Sequence, residues 1–497
     1  MTSSIERTAK RWTARRAGRR IVRLTVVDRM FLHAERPAWP CHFGGLAVID
    51  GRALLDESGQ LRLEEVRDRL GRRLAQIPDL RQRIHAPGWL SGGPLWVDDP
   101  RFSIEHHVHE APVPAPGGDG ELLEAAARAY ESLLDRRRPL WELWFLTGLR
   151  DGRVGILLKL HHAVADGPAA VAIMASLFDI DRDGTEPVAA PFAPEPIPGA
   201  WTLLADNVSS KLRTLGRGLA ALAHPRRTLG TARVFALVMR RAMGQQAAPR
   251  TSLNSIVRVG RRIRVVHLDL AEMKDAAHAH GGKLNDVFLD LCSGGLRQLL
   301  VSRGELVKGI ELKVAQAVSL RSPSEAEAID NRAGSIVLPL PVGEADPGLR
   351  LDRIVAATSR TKAIQRPAAI MNAMAAMAAT PLGQYLNLHQ RAVNVIATNV
   401  VGPPVPMYVL GAPILDILPI IQLVGNIGLT LAAFSYAGRV SLVVTADASG
   451  FPDVDQLILG MERDWQALSG ARPDGPATDG EPGPASAPEP EKVRVPA

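Results

Sequence analysis

Positions 154–160 read Val-Gly-Ile-Leu-Leu-Lys-Leu, a run of branched apolar residues short enough for a buried strand. From 168 to 178, Ala, Val, Ile, Met and Leu recur at helical spacing. Strand, short turn and helix are therefore predicted in succession. Further on, 287–300 reads as an apolar helix; Asn285, just ahead of it, is expected to cap its N-terminus, with Asp286 in the first turn, where the helix dipole favours a carboxylate. Leu204, Val208, Leu212, Leu215, Leu219 and Leu222 recur at steps of three or four, with Lys211, Arg213 and Arg217 off that stripe, which predicts a basic amphipathic helix.

Two stretches approach membrane-span length without a charge, 367–388 and 417–436. The first carries Met371, Met374 and Met377 among alanines, with Pro381 near its end, and reads as a packed helix or a flexible channel wall. The second is broken by Pro419, Gln422, Gly425, Asn426 and Gly428 and reads as two buried strands around a turn. Neither fits an uninterrupted apolar helix of about twenty residues, so no spanning helix is expected.

At 497 residues the chain exceeds what one hydrophobic core organises, so two domains are expected. Its 46% hydrophobic and 22% charged content suits packed globular structure. The pattern divides into a basic segment (1–19), an N-terminal α/β domain (20–180), a basic amphipathic linker (181–254), a second α/β domain (255–469) and a Pro/Gly-rich tail expected to be disordered (470–497). Cys41 and Cys292 lie in apolar surroundings far apart in sequence, which predicts small buried hydrophobes in a reducing compartment and no disulfide framework. No apolar run followed by a small-residue cleavage site stands near position 1, so a secretory signal is not expected and a cytoplasmic location is.

Charge adds a statement about partners. Residues 1–24 carry eight Arg/Lys against Glu6 alone, and 201–250 carry nine against Asp206 alone. With a whole-chain net charge of +7, the rest of the chain is net negative. The stripe helix suits a membrane interface rich in anionic lipid, and equally suits docking between domains. Nucleic-acid binding finds no recognition motif and little aromatic interleaving, so it is not expected.

The candidate chemistry lies where the 154–160 strand ends, at His161, His162, Asp166 and Gly167. Successive strand side chains point to opposite faces, so one imidazole projects into a given space while the other packs or braces the loop. Gly167 allows close approach or a positive φ. General base, structural histidine and metal ligand all remain open on the motif alone; adjacent imidazoles splay apart and no Cys or Glu stands near to complete a tetrahedral set, which weakens the last. His106, His107 and His109 read as a solvated strand face. No G-x-S-x-G elbow, phosphate-binding loop or dinucleotide fingerprint is present.

Taken along most of its length, from about 24 to about 468, the sequence resembles the bacterial wax ester synthase/acyl-CoA:diacylglycerol acyltransferases. His161, His162, Asp166 and Gly167 satisfy that family's HHxxxDG motif, and 134–142 is similar to its LDRxRPLWE block through Pro139, Leu140 and Trp141. Positions 281–287 resemble its GGxxNDV motif through Asn285 and Asp286, and 397–403 its SNVPGP motif, with Val401 where a proline is usual. Near the start, 27–32 resembles its LDxMFL opening and 40–44 its PMHVG. Residues 317–321 and 329–332 depart from its PVSLR and LGNR, which touches the acceptor more than the reaction type.

The resemblance implies two domains with the fold of CoA-dependent acyltransferases, mixed sheets covered by helices, and a reaction channel between them. It implies transfer of a long-chain acyl group from acyl-CoA to diacylglycerol, and to a long-chain alcohol as a further acceptor, with no cofactor and no metal. His162 then takes the hydroxyl proton and returns it to the CoA thiolate, without a covalent enzyme intermediate. Asp166 orients the loop through an arginine. A peripheral membrane or lipid-droplet surface is the implied site of action. The rivals are a non-catalytic lipid-binding scaffold of the same fold and an amide-forming condensation enzyme with a similar histidine motif.

Overall fold

The computed structural model describes residues 21–74, 77–165, 173, 177–182, 192–223, 247–319, 333–361, 377–378 and 380–470. In chain order it contains β1 (Val22–Arg23), α1 (Val26–Ala34), β2 (His42–Asp50), α2 (Leu63–Leu74), β3 (Gln82–His85), β4 (Leu95–Asp98), β5 (Val108–Pro112), α3 (Asp119–Glu131), β6 (Trp141–Thr147), β7 (Arg153–His161) and α4 (Ala200–Ala223). There follow β8 (Arg261–Asp269), α5 (Leu270–Ala279), α6 (Leu284–Ser302), β9 (Leu312–Ser319), β10 (Ala333–Leu340), α7 (Pro347–Arg360), α8 (Pro381–Leu388), β11 (Val395–Val401), β12 (Tyr408–Val409), β13 (Ala412–Ile420), β14 (Leu429–Tyr436), β15 (Arg439–Asp447) and α9 (Asp455–Ser469).

Two six-stranded sheets dominate, ordered β12-β13-β2-β7-β6-β5 and β10-β9-β11-β14-β15-β8, beside a small β1-β4-β3 sheet. Both large sheets are mixed: β5 runs parallel to β6, and β11 runs parallel to both β9 and β14, the other pairings being antiparallel. The strand expected at 154–160 is β7, buried on both faces from Val154 onward, and a strand covered on both sides reads as a continuous apolar run. Its buried charge, Lys159, is satisfied internally: Nζ donates to Glu142 Oε2 at 2.9 Å and to the Ser132 carbonyl at 2.8 Å.

The two strands expected in 417–436 are found as β13 and β14, but they belong to different sheets. β13 returns to pair antiparallel with β2, so the second half of the chain extends the first sheet. α3 packs between the halves, where Leu122 and Ala126 share a core with Leu46 and Leu157 of the first sheet and Ile263 and Val443 of the second. In the second half α6 is buried along its length, and Gly294 and Gly295 let α9 come close: a Cβ on Gly294 would fall 1.8 Å from Asp464 Oδ2. Beneath them Arg350, fully buried, bridges Asp290 at 2.7 Å and Asp464 at 2.6 Å.

Three local expectations change. α6 begins at Leu284 with Lys283 as its cap residue, so Asn285 lies inside the first turn and is not the N-cap. Asp286 Oδ2 instead accepts the Lys283 N–H at 2.8 Å, because a carboxylate three residues on reaches back to the cap position. His107 is buried, not solvated; its ring stacks on Trp141 with centroids 4.5 Å apart, and burial pushes its pKa down to about 4. The basic stripe helix exists as α4, and its first turns meet the body through Leu203 against Leu95 and Val97. Over the described side chains Val208, Leu212 and Leu215 are exposed, so this part of the stripe does not pack between domains. No helix among the described residues is long and apolar enough to cross a membrane.

Candidate active site at the end of β7

His161 closes β7, and the sheet fixes it from both sides. Its N–H donates to the Leu140 carbonyl at 3.1 Å, and it stands in register with His42 of β2. The next N–H, that of His162, donates to the Cys41 carbonyl at 3.0 Å. The motif's backbone is thus held by the strand before it and the segment that enters β2, and the two imidazoles fall on opposite faces, as alternation requires.

His161 points into the protein and is fully buried. Its Nδ1 accepts the Ala163 N–H at 2.9 Å, which closes the turn and assigns the ring proton to Nε2. That nitrogen faces Glu35 Oε1 at 3.4 Å, an electrostatic contact longer than a full hydrogen bond. Glu35, at the C-terminus of α1, also accepts the Cys41 N–H at 3.2 Å and the Arg136 guanidinium at 2.8 Å. Burial alone would raise the Glu35 carboxyl, but His161 and Arg136 outweigh it and hold its pKa down at about 2. One carboxylate therefore ties together α1, the segment before β2, the 134–142 block and the histidine turn.

His162 occupies an apolar clasp. The Phe31 ring stacks on it at 4.7 Å with an interplanar angle of 15°, and Phe43 meets it edge-on at 4.9 Å. Burial between these rings pushes its pKa down to about 3; the neighbouring His161 adds to this, and contact with the Gln422 side chain opposes it. At neutral pH His162 is an uncharged imidazole, the form that can accept a proton. Gln422 comes from the link between β13 and β14, so the second half of the chain contributes a polar group to a site carried by the first.

Of the expected site residues, the structure brings His161 and His162 together with the 134–142 block. Pro139, Leu140 and Trp141 are all buried at the entrance to β6, the indole N–H of Trp141 donating to the Leu80 carbonyl at 2.7 Å. Asn285 and Asp286 belong to the second half: Asn285 Oδ1 accepts from Gln316 Nε2, and Asp286 Oδ1 accepts from Thr358 Oγ1 at 2.8 Å. Asp166 and Gly167 lie outside the described residues. Glu35, Phe31, Phe43 and Gln422 were not expected at the site from sequence, where Gln422 read only as part of a break between two strands. Only Phe31 and Phe43 stood inside motif-like segments, where they read as generic apolar positions. Among the described residues no three His, Cys, Asp or Glu side chains are grouped so as to hold a metal ion.

Comparison with known proteins bears on this site. Residues 24–288 match the family model of the wax ester synthase/diacylglycerol acyltransferase catalytic domain, and 329–469 that of the corresponding C-terminal domain. A probable diacylglycerol O-acyltransferase of Mycobacterium tuberculosis is 31% identical over 455 residues, which cover 88% of this chain and 94% of the relative. A second probable diacylglycerol O-acyltransferase of that organism is 30% identical over 457 residues, covering 89% and 98%. Among solved structures, the wax ester synthase/diacylglycerol acyltransferase from Marinobacter aquaeolei VT8 superposes with a TM-score of 0.64 at 23% identity over 90% of this chain and all of that one. The first condensation domain of the calcium-dependent antibiotic synthetase shares the fold, with a TM-score of 0.54 at 18% identity over 90% and 95%.

Proposed function

Since this chain belongs to the wax ester synthase/diacylglycerol acyltransferase family and is an acyltransferase, we propose that His162 is its general base and that it carries a long-chain acyl group from acyl-CoA to diacylglycerol. The observation that carries this reading is a neutral imidazole at a strand end, desolvated between Phe31 and Phe43 and met by Gln422 from the other half of the chain. An alcohol is a poor nucleophile and a thioester carbonyl a good electrophile, so the reaction needs positioning and a base more than it needs a covalent intermediate.

In the proposed sequence the diacylglycerol hydroxyl oxygen attacks the thioester carbonyl as its proton passes to His162. The tetrahedral intermediate collapses with cleavage of the C–S bond, and the imidazolium returns its proton to the departing thiolate, leaving triacylglycerol and CoA. The low pKa of His162 makes it release the proton readily to a thiolate, whose conjugate acid has a pKa of about 8.5. Asp166 would orient the loop and Gly167 would let substrate approach its backbone. A fatty alcohol in place of diacylglycerol would give a wax ester by the same steps. Because either acceptor dissolves in lipid, a peripheral membrane or lipid-droplet surface is the proposed place of work.

Purified protein incubated with labelled palmitoyl-CoA and a panel of diacylglycerols, fatty alcohols and amines tests this directly. Labelled triacylglycerol is expected, lowered about 10² to 10⁴-fold in His162→Ala. Label in amide alone would favour the condensation rival, and full turnover by a folded His162→Ala would remove the assigned base.

A further inference from the structure

Over its described side chains, α4 meets the body along the side that carries Leu203. Leu203 packs on Leu95 and Val97, Asp206 pairs with Arg23 at 2.8 Å, and Asn207 Nδ2 donates to the Leu90 carbonyl at 2.8 Å. At about 100° per residue, Trp201, Val208, Leu212 and Leu215 lie roughly 120° to 180° around the helix from Leu203, on the face turned away from those contacts. All four are exposed, Trp201 by 83%, Leu212 by 62% and Leu215 by 60%. Lys211 and Arg213, both exposed, stand about 80° to either side of Leu203: Lys211 borders the apolar face, about 40° from Leu215, and Arg213 lies about 100° beyond Leu212.

A second apolar feature sits beside the helix. The 3₁₀ turn Trp89–Ser91 presents Trp89, 88% exposed, and Leu90, and it is fixed in place. The Asn207 hydrogen bond holds the Leu90 carbonyl, and Arg23 donates to the Gly93 carbonyl at 2.7 Å. Gly92 has φ 89°, and a Cβ there would meet the Arg23 guanidinium at 2.9 Å and Asn207 Oδ1 at 3.0 Å. Two exposed tryptophans and an outward aliphatic stripe, with cations beside it, make a surface whose chemistry matches an interface of acyl chains and anionic headgroups.

Resting on the reading of the acceptor as a lipid-dissolved alcohol, we propose that this face of α4 and the Trp89 turn form the docking surface for an anionic lipid bilayer. The apolar stripe enters the headgroup boundary. Lys211 reaches the phosphates from its near edge and the long Arg213 side chain from the flank, as in a basic interfacial helix. Over its described side chains the helix carries no group of the proposed catalytic site, so membrane capture and chemistry are separable.

Flotation of the full-length protein with phosphatidylcholine vesicles, with and without 30% phosphatidylglycerol (~0.3 mole fraction, enough for a negative surface potential), tests the proposal. Wild type should float with the anionic vesicles and partly release as salt rises, since exposed charges are screened over a Debye length. Lys211→Gln with Arg213→Gln should weaken partitioning about 30-fold, the product of two headgroup contacts. Trp201→Ser with Leu212→Ser and Leu215→Ser should abolish flotation even at low salt, and both sets should keep wild-type turnover of a detergent-dispersed acceptor. Flotation unchanged in both sets overturns the surface. A wild type that ignores vesicles but forms a dimer broken by the serine substitutions assigns the face to a second copy and overturns it equally. Lost stability in the serine variant would show that the stripe packs within the chain, against the proposal. Failure of the acyltransfer reading registers separately, as absence of labelled ester from wild type in detergent, whatever the vesicles show.

Discussion

Removing the carboxylate of Glu35 should loosen the histidine turn without touching the imidazole proposed as the base. In Glu35→Ala two buried donors lose their acceptor: the Cys41 N–H, now 3.2 Å from Oε1, and the Nε2–H of His161, 3.4 Å away. An orphaned buried donor costs about 1–3 kcal/mol, and the longer His161 contact belongs at the low end. Arg136 is half-exposed and returns to water, so its pair with Glu35 contributes about 1 kcal/mol or less. The loss should therefore come to about 2–5 kcal/mol. Glu35→Gln keeps the shape and an acceptor oxygen and removes only the charge, so about 1–2 kcal/mol is expected. Urea unfolding measures both, and kcat should fall with KM for acyl-CoA little changed, because the turn that aims His162 is what moves. Nitrogen-15 shifts of labelled histidine supply a third reading, with the His161 proton on Nε2 in wild type. Stability within about 0.5 kcal/mol of wild type in Glu35→Ala, the scatter of an ordinary surface substitution, would refute the reasoning, as would a His161 proton on Nδ1.

Other outcomes follow from the same geometry. With the pKa of His162 near 3, kcat/KM should stay flat from about pH 8 to pH 5; an inflection near 6.5, the free-histidine value, would show that the clasp of Phe31 and Phe43 does not desolvate the ring in solution. His42 and His107 have folded pKa values of about 3 and about 4, below their unfolded value of 6.5, so the unfolded chain binds more protons as pH falls. Stability should thus be complete above about pH 6.5 and decline below it by up to about 1.4 kcal/mol per pH unit for each; urea midpoints equal at pH 7 and pH 5 would contradict this. Arg350→Leu leaves Asp290 and Asp464 buried without their cation and should cost about 3–5 kcal/mol by chemical denaturation, whereas a near-neutral result would show that water reaches the pair. Gln422→Leu should lower kcat several-fold, the equivalent of about 1 kcal/mol for one polar contact, with unchanged unfolding; wild-type kcat would make the contact incidental.

The linear sequence determined what depends on neighbours in the chain. β7 was legible because a strand covered on both faces is apolar throughout, and alternation led one to expect the His161 and His162 side chains to diverge. The break at Pro419 to Gly428 announced two strands, and the stripe from Leu204 announced a helix, since periodicity and turn residues are local signals. Asn285 misled because several residues near a helix start can cap it, and which one does is settled by where the first turn closes; with Lys283 at the cap, Asp286 reaches back. His107 misled because a histidine's burial depends on what stacks on it, here Phe102 and Trp141, thirty-four residues away in the second case. Only the tertiary structure could assign β13 and β14 to different sheets, because an apolar strand carries no mark of its partner, and that assignment is what carries Gln422 to His162. It alone joined Glu35 to Arg136 and His161 across about a hundred residues and more, a charge network invisible to any window along the chain. And it alone decided which way the leucine stripe faces: leucines at steps of three and four give a helix an apolar side, but the partner for that side is chosen by the body it docks on, and here Leu203 takes the body and leaves Leu212 and Leu215 outside.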